Sequence, residues 1–235
     1  MSLLALEGVD IFYGDMQAVF GASLHLDAGE TIAIIGANGA GKSTLLRAII
    51  GLTPARRGRV VFDGHDIAGL RCDLAARRGI ALVPEGRRLF STLTVEENLL
   101  MGAARARPGP WTLDSVYALF PALREIRHQP ASDISGGRQQ MVAIGRALLT
   151  NPRLLLCDEL SLGLAPKIIS DIYACFADIC WRGVSIILVE QDIVRARDSS
   201  NRLYCLLKGR VTLEGSSATV SLDDIRHAYF GDRRS

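Results

Sequence analysis

Short apolar runs recur along the chain, separated by glycine-rich and polar stretches. Leu154-Leu155-Leu156-Cys157 and Ile186-Ile187-Leu188-Val189 are apolar at every position, the pattern of parallel strands buried on both faces. Similar runs predict strands over Leu3–Val9, Thr31–Ile35, Arg59–Phe62, Ile80–Val83, Leu154–Cys157, Ser185–Val189, Arg202–Leu207 and Arg210–Glu214. The last two meet at Lys208-Gly209, which reads as a hairpin turn. Helical spacing starts at Lys42, near Thr94, after Gly137, near Pro166 and near Ser221. Thr94-Val95-Glu96-Glu97 spells a capping box. Ile169, Ile172, Tyr173, Phe176 and Ile179 form one apolar helical stripe, expected to pack in the core. No strand pattern occurs between about Glu85 and Leu149, where Pro108-Gly109-Pro110 marks a loop between helical patterns. The expectation is an α/β core of residues 1–86 and 141–235, with a helical lobe of residues 87–140 inserted into it.

A chain of 235 residues can bury a substantial core. Its net charge of +2, with 22% charged residues, is too balanced for a nucleic-acid or anionic-membrane footprint. Mean hydropathy is high at +0.21. Even so, no apolar run approaches the roughly 18 to 20 residues that span a bilayer. Met1 to Asp10 carries Glu7 and Asp10 and no basic residue, unlike a secretory leader. A cytosolic location is expected, at a membrane only through protein contacts. Cys72, Cys157, Cys175, Cys180 and Cys205 show no metal-ligand spacing and are expected to be buried free thiols of a reducing compartment. His25, His65, His128 and His227 are scattered and form no nucleophile or metal constellation.

The chemistry concentrates after the second predicted strand. Gly36-Ala37-Asn38-Gly39-Ala40-Gly41-Lys42-Ser43-Thr44 fits the GxxxxGK[ST] phosphate loop and lies between a strand and a helix, the context that motif needs. Its glycines let backbone N–H groups turn inward at a positive helix N-terminus. Lys42 is expected to reach the β- and γ-phosphates and the Ser43 hydroxyl to sit on Mg²⁺. These residues imply a nucleoside triphosphate as ligand. Downstream, the apolar strand ending in Asp158-Glu159 offers one carboxylate for Mg²⁺ and a second to orient or deprotonate water.

With Ile134-Ser135-Gly136-Gly137-Arg138-Gln139-Gln140 before it, the chain resembles the ATP-binding-cassette (ABC) ATPases, whose signature reads LSGGxQ. That resemblance implies a P-loop NTPase (RecA-like) α/β core with an inserted helical subdomain and an N-terminal antiparallel β subdomain. It implies ATP and Mg²⁺ as ligands, with Lys42, Glu159 and Gln191 as the catalytic set. Residues 36–44, Tyr13 and Glu85 would bind nucleotide, Tyr13 by stacking on adenine, and Ser43, Asp158 and Glu85 would bind the metal. Ser135, Gly136, Gly137 and Gln139 would contact the nucleotide of an opposed cassette, so two chains would sandwich two nucleotides.

Six further phrases resemble the LivF-type ATPase subunits of branched-chain amino acid importers. They are residues 36–44, 83–90 (VPEGRRLF), 93–99 (LTVEENL), 139–148, 161–166 (SLGLAP) and 189–191 (VEQ). The resemblance implies a peripheral subunit on the cytoplasmic face of the inner membrane. Its partners would be a second ATPase subunit or a second copy, two membrane permeases and, indirectly, a substrate-binding protein, with no nucleic acid. Arg87, Arg88, Phe90 and Leu93 lie where membrane subunits would touch. Urea and short-amide importers use near relatives, and a weakly hydrolysing regulatory subunit is an alternative.

Most cassettes carry glutamine at Glu85, aspartate at Ala165 and a γ-phosphate-sensing histidine at Gln191; LivF-type subunits share this chain's residues. Gln191 can donate an amide N–H but carries no positive charge. Three departures are particular to this chain: Arg138 for glutamate, Asp192 for asparagine, and Leu160 for the proline after Glu159. Losing the fixed φ of proline is expected to loosen Glu159.

Overall fold

Residues 2–104 and 106–231 are described by a computed structural model of the chain. The ends of the expected core, Met1 and residues 232–235, and Arg105 in the expected lobe lie outside them. The chain opens with β1 (Ser2–Tyr13) and β2 (Met16–Asp27), followed by β3 (Thr31–Ile35) and α1 (Lys42–Ile49). Next come β4 (Ala55–Phe62), β5 (His65–Asp66), α2 (Cys72–Arg77) and β6 (Ile80–Val83). Four helices succeed one another: α3 (Val95–Ala103), α4 (Leu113–Leu119), α5 (Pro121–Glu125) and α6 (Gly136–Leu148). The chain then returns to α/β alternation with β7 (Leu154–Asp158), α7 (Pro166–Ala174), α8 (Phe176–Trp181), β8 (Ser185–Glu190) and α9 (Ile193–Asp198). It closes with β9 (Arg202–Leu207), β10 (Arg210–Ser216) and α10 (Leu222–Phe230).

Two sheets result. One is antiparallel, in the order β2-β1-β4-β5. The other runs β10-β9-β3-β8-β7-β6, parallel except for the edge strand β10. β3, β7 and β8 are buried at every position. Alternate side chains leave opposite faces of these strands, as the pleat requires. Leu154, Leu156, Ile187 and Val189 join Ile32 and Ile34 in a core shared with the antiparallel sheet and with Leu45, Leu46 and Ile49 of α1. Leu155, Cys157, Ile186 and Leu188 face the other way, against Leu99, Val142, Ile144, Leu148, Ile172, Phe176 and Ile179. Ala33, Ile35, Leu203 and Cys205 pack on α9 and α10 through Ala196 and Ile225.

Between β6 and β7 the described residues contain helices and one isolated bridge, Thr94 to Pro130. Thr94 caps α3 with both bonds of the capping box formed. Lys208 and Gly209 make the hairpin turn with positive φ at both, 48° and 77°. Several elements were not visible in the pattern. β2 went unread because β-bulges and Gly21 break its alternation, although Leu24 and Leu26 point inward with period two. β1 and β4 run further than expected, since pairing with each other carries polar residues such as Asp10 and Arg57 into the ladder. The short helices α2 and α9 lack the length for a periodic signal. Cys72 stands exposed on α2, against the expectation of buried thiols.

Leu156 sits in the middle of the double-sided core with no exposed surface. Leu156→Ala should cost about 2–5 kcal/mol, read as a lowered midpoint of chemical unfolding. A midpoint equal to wild type would show that this layer is not tightly packed.

Candidate functional site

Parallel pairing brings three strand ends to one edge of the large sheet. Ile35 is paired with Glu190 and Asp158 with Val189, so the turns after β3, β7 and β8 leave side by side. The turn after β3 is the phosphate loop. Gly36 is required by space, because a Cβ there would lie 2.3 Å from the Leu206 carbonyl oxygen. Gly41 is required by conformation, with φ at 104° where it caps α1. An open cleft of about 530 Å³ lies over this loop.

Lys42 is buried and curls back over the loop that carries it. Its Nζ donates to the carbonyl oxygens of Gly36 at 2.8 Å and Ala37 at 3.2 Å. It also lies 3.5 Å from Glu159 Oε1. Gln191 Nε2 donates to the other oxygen, Oε2, at 2.6 Å, so both oxygens of Glu159 are engaged. Ser43 Oγ donates to Asp158 Oδ1 at 2.9 Å. Burial raises the Asp158 carboxyl above the usual aspartate range, with repulsion from Glu159 and Glu85 adding to it; Ser43 and Lys42 oppose the shift.

Tyr13, Asn38, Gly39, Gly41, Lys42, Ser43, Thr44, Glu85, Glu159 and Gln191 line the cleft together. The Tyr13 hydroxyl lies 3.3 Å from Thr44 Oγ1, and its ring remains partly exposed. Gly36 and Ala37 contribute carbonyls beneath Lys42, and Ala40 is buried in the core. Asp158 sits behind Ser43 rather than on the cleft wall.

A family model described as ABC transporter matches residues 19–161. The chain belongs to the ABC transporter family. It is 43% identical over 232 residues to the high-affinity branched-chain amino acid transport ATP-binding protein BraG of Pseudomonas aeruginosa, covering 97% of this chain and 100% of that one. Among solved structures, the ADP conformation of the ATP-binding cassette MJ1267 superposes with a TM-score of 0.82 at 27% identity, over 97% of this chain and 94% of that one. The dimeric post-hydrolysis state of the cassette MJ0796, bound to ADP and Pi, gives 0.81 at 27% identity, over 91% and 98%.

None of Ser135, Gly136, Gly137 and Gln139, the stretch resembling the ABC signature, lines this chain's own cleft. Ser135 begins α6 without a side-chain capping bond. Gln139 accepts from Arg87 Nη1 at 3.1 Å and donates to the Ala131 carbonyl at 2.8 Å. Arg87, expected at a membrane-subunit contact or as an ordinary surface charge, is tied to this segment by that bond. Met16, Ala18 and Leu162 line the cleft and were not foreseen. The first two lie on the unread β2, and Leu162 was visible only as part of a family phrase.

Leu160 is 2% exposed and packs in the core facing the helices. Asp192 accepts from the Arg195 N–H at 3.0 Å as the N-cap of α9, a role asparagine fills equally well. Ala165 leaves the start of α7 without a side-chain cap. Nothing in the structure explains Arg138.

A raised carboxyl pKa means that the folded chain holds the Asp158 proton more tightly than the unfolded chain does. That stability is full below the unfolded value of about 3.9 and is lost as pH rises through the folded value. Asp158→Asn, uncharged throughout, should melt above wild type at pH 7. The gap should narrow as pH falls toward about 4; a gap constant with pH would show that the charge carries no such cost.

Proposed function

We propose that this chain is the ATP-hydrolysing subunit of an importer for branched-chain amino acids. Identity with BraG over the full length of that protein carries the reading, supported by a cleft in which Lys42, Ser43 and Glu159 converge. Lys42 would exchange its carbonyl and Glu159 partners for the β- and γ-phosphates, and the loop amides would hold the remaining phosphate oxygens. Tyr13, exposed at the cleft rim beside Thr44, would stack on the base. Once Lys42 turns to phosphate, Glu159 keeps its bond to Gln191 and has one free oxygen to orient and deprotonate water.

Ser43, Asp158 and Glu85 offer only oxygen donors, which suits magnesium better than a softer metal. Among the described residues no three His, Cys, Asp or Glu side chains converge as a metal cage. That fits an ion held mainly by phosphate and water, beside an aspartate whose charge burial disfavours. A magnesium ion bound there would neutralise charge on the β- and γ-phosphate oxygens.

The segment resembling the signature, which does not line its own cleft, would complete the site of an opposed cassette, either a second copy or a partner ATPase. No helix of the described residues is long and apolar enough to cross a membrane. Two permease subunits would therefore anchor the assembly at the cytoplasmic face, and a substrate-binding protein would deliver the amino acid. One observation favours a second reading. With both Glu159 oxygens engaged and no charge on Gln191, this chain would be a weakly hydrolysing regulatory cassette paired with a more active partner.

Steady-state ATP hydrolysis by the purified chain, measured over a range of protein concentrations, should rise faster than linearly. Glu159→Gln should lower kcat by about 10²- to 10⁴-fold, and Lys42→Ala should abolish nucleotide binding. Binding without hydrolysis until a partner ATPase is added would favour the regulatory reading. Wild-type turnover in Glu159→Gln would sink both. Loss of leucine, isoleucine and valine uptake on deletion, with urea and amide uptake intact, would establish the substrate class.

A further inference from the structure

Glu190 ends β8 with 2% of its side chain exposed, a carboxylate buried more deeply than Glu159 at 12%. Such a group persists in an interior only if its oxygens are satisfied. Oε2 accepts from Ser161 Oγ at 3.0 Å and from the Gln191 N–H at 3.3 Å. Oε1 accepts a short hydrogen bond from the Tyr173 hydroxyl. Burial and the neighbouring Glu190 charge push the Tyr173 phenol up, which keeps it a donor. Arg195 Nη1 stands 3.9 Å from Oε2 and supplies a compensating charge.

Two of these partners belong to the segments that hold Glu159. Ser161 lies two residues beyond it, and Gln191 grips its Oε2 at 2.6 Å. Chain and hydrogen bonds thus close a ring through Glu159, Gln191, Glu190 and Ser161. Glu159 needs such support, because its φ of 49° is left-handed and costs an L-residue about 1–2 kcal/mol. A strained backbone of this kind holds only when its surroundings over-determine it. Glu190 itself does not line the cleft, so any effect on the reaction passes through its partners.

We propose that Glu190 is a positioning residue for ATP hydrolysis, its buried carboxylate tying the turn that presents Glu159 to the strand end that carries Gln191. This rests on Glu159 being the base. Glu190→Gln keeps the volume but turns one acceptor into an N–H₂ group facing donors. It should lower kcat about tenfold, or about 1.4 kcal/mol, and leave KM for ATP within about twofold, because the phosphate loop and Tyr13 are untouched. Adding Ser161→Ala to that variant should cost little more, since the two side chains act through one bond.

Hydrogen exchange of the whole chain provides a readout independent of turnover. The Leu162 and Leu164 N–H groups bond to the carbonyls of Glu159 and Ser161 at 3.3 and 3.2 Å. They should exchange faster in Glu190→Gln while β3 and β7 stay protected. Unchanged kcat with unchanged exchange at these two amides would overturn the proposal. A raised KM with exchange faster throughout would also overturn it, as general loosening. If the wild-type chain hydrolyses no ATP even with a partner ATPase, the functional reading fails, and exchange at Leu162 and Leu164 still decides whether Glu190 braces the turn.

Discussion

Lys42, Glu159 and Gln191 are brought together by the parallel pairing of β3, β8 and β7. Parallel strands end at the same edge, so the three turns carrying Lys42, Gln191 and Glu159 leave the sheet side by side. The pairing is pinned by burial on both faces: a slip of one residue would send Leu155 and Cys157 toward the antiparallel sheet and Leu154 and Leu156 toward the helices. The two faces pack against partners of different shape, so the register that forms the cores also sets the spacing of the charges.

Those charges sit where water is largely excluded, and the structure handles each one locally. Lys42 lies beside Glu159 and donates to two carbonyls of its own loop. Asp158 has a hydroxyl donor, and burial disfavours its ionised form. Glu190 is satisfied by hydroxyls and a backbone N–H with Arg195 at longer range.

Departures from the family pattern are met by local packing and hydrogen bonds. Leucine at position 160 removes a stiff residue and buries its side chain in the core facing the helices. Gln191 loses a charge but still reaches Glu159 through an amide that titrates at no pH. Ala165 forfeits a cap, and Pro166 at the first position of α7 partly offsets this with a φ already suited to the helix.

Much of this was legible in the linear pattern. Consecutive apolar runs marked the central strands, since burial on both faces removes the polar alternation. The phosphate loop declared itself because glycine spacing, lysine and a flanking strand form a local constraint. The capping box at Thr94 is equally local. β2 was hidden because bulges shift its alternation, and with it the cleft contributions of Met16 and Ala18. Leu162 and Glu190 gave no signal of their own, since an apolar residue in a turn and an acid after an apolar strand are common. Sequence alone picked out the phosphate loop and the Asp158-Glu159 pair, because those motifs act over a few neighbouring positions. Tertiary structure alone decided that Glu190 is buried, that Glu159 is held at both oxygens and that the segment resembling the signature lies outside its own cleft. Each of those depends on strand pairing between residues far apart in the chain.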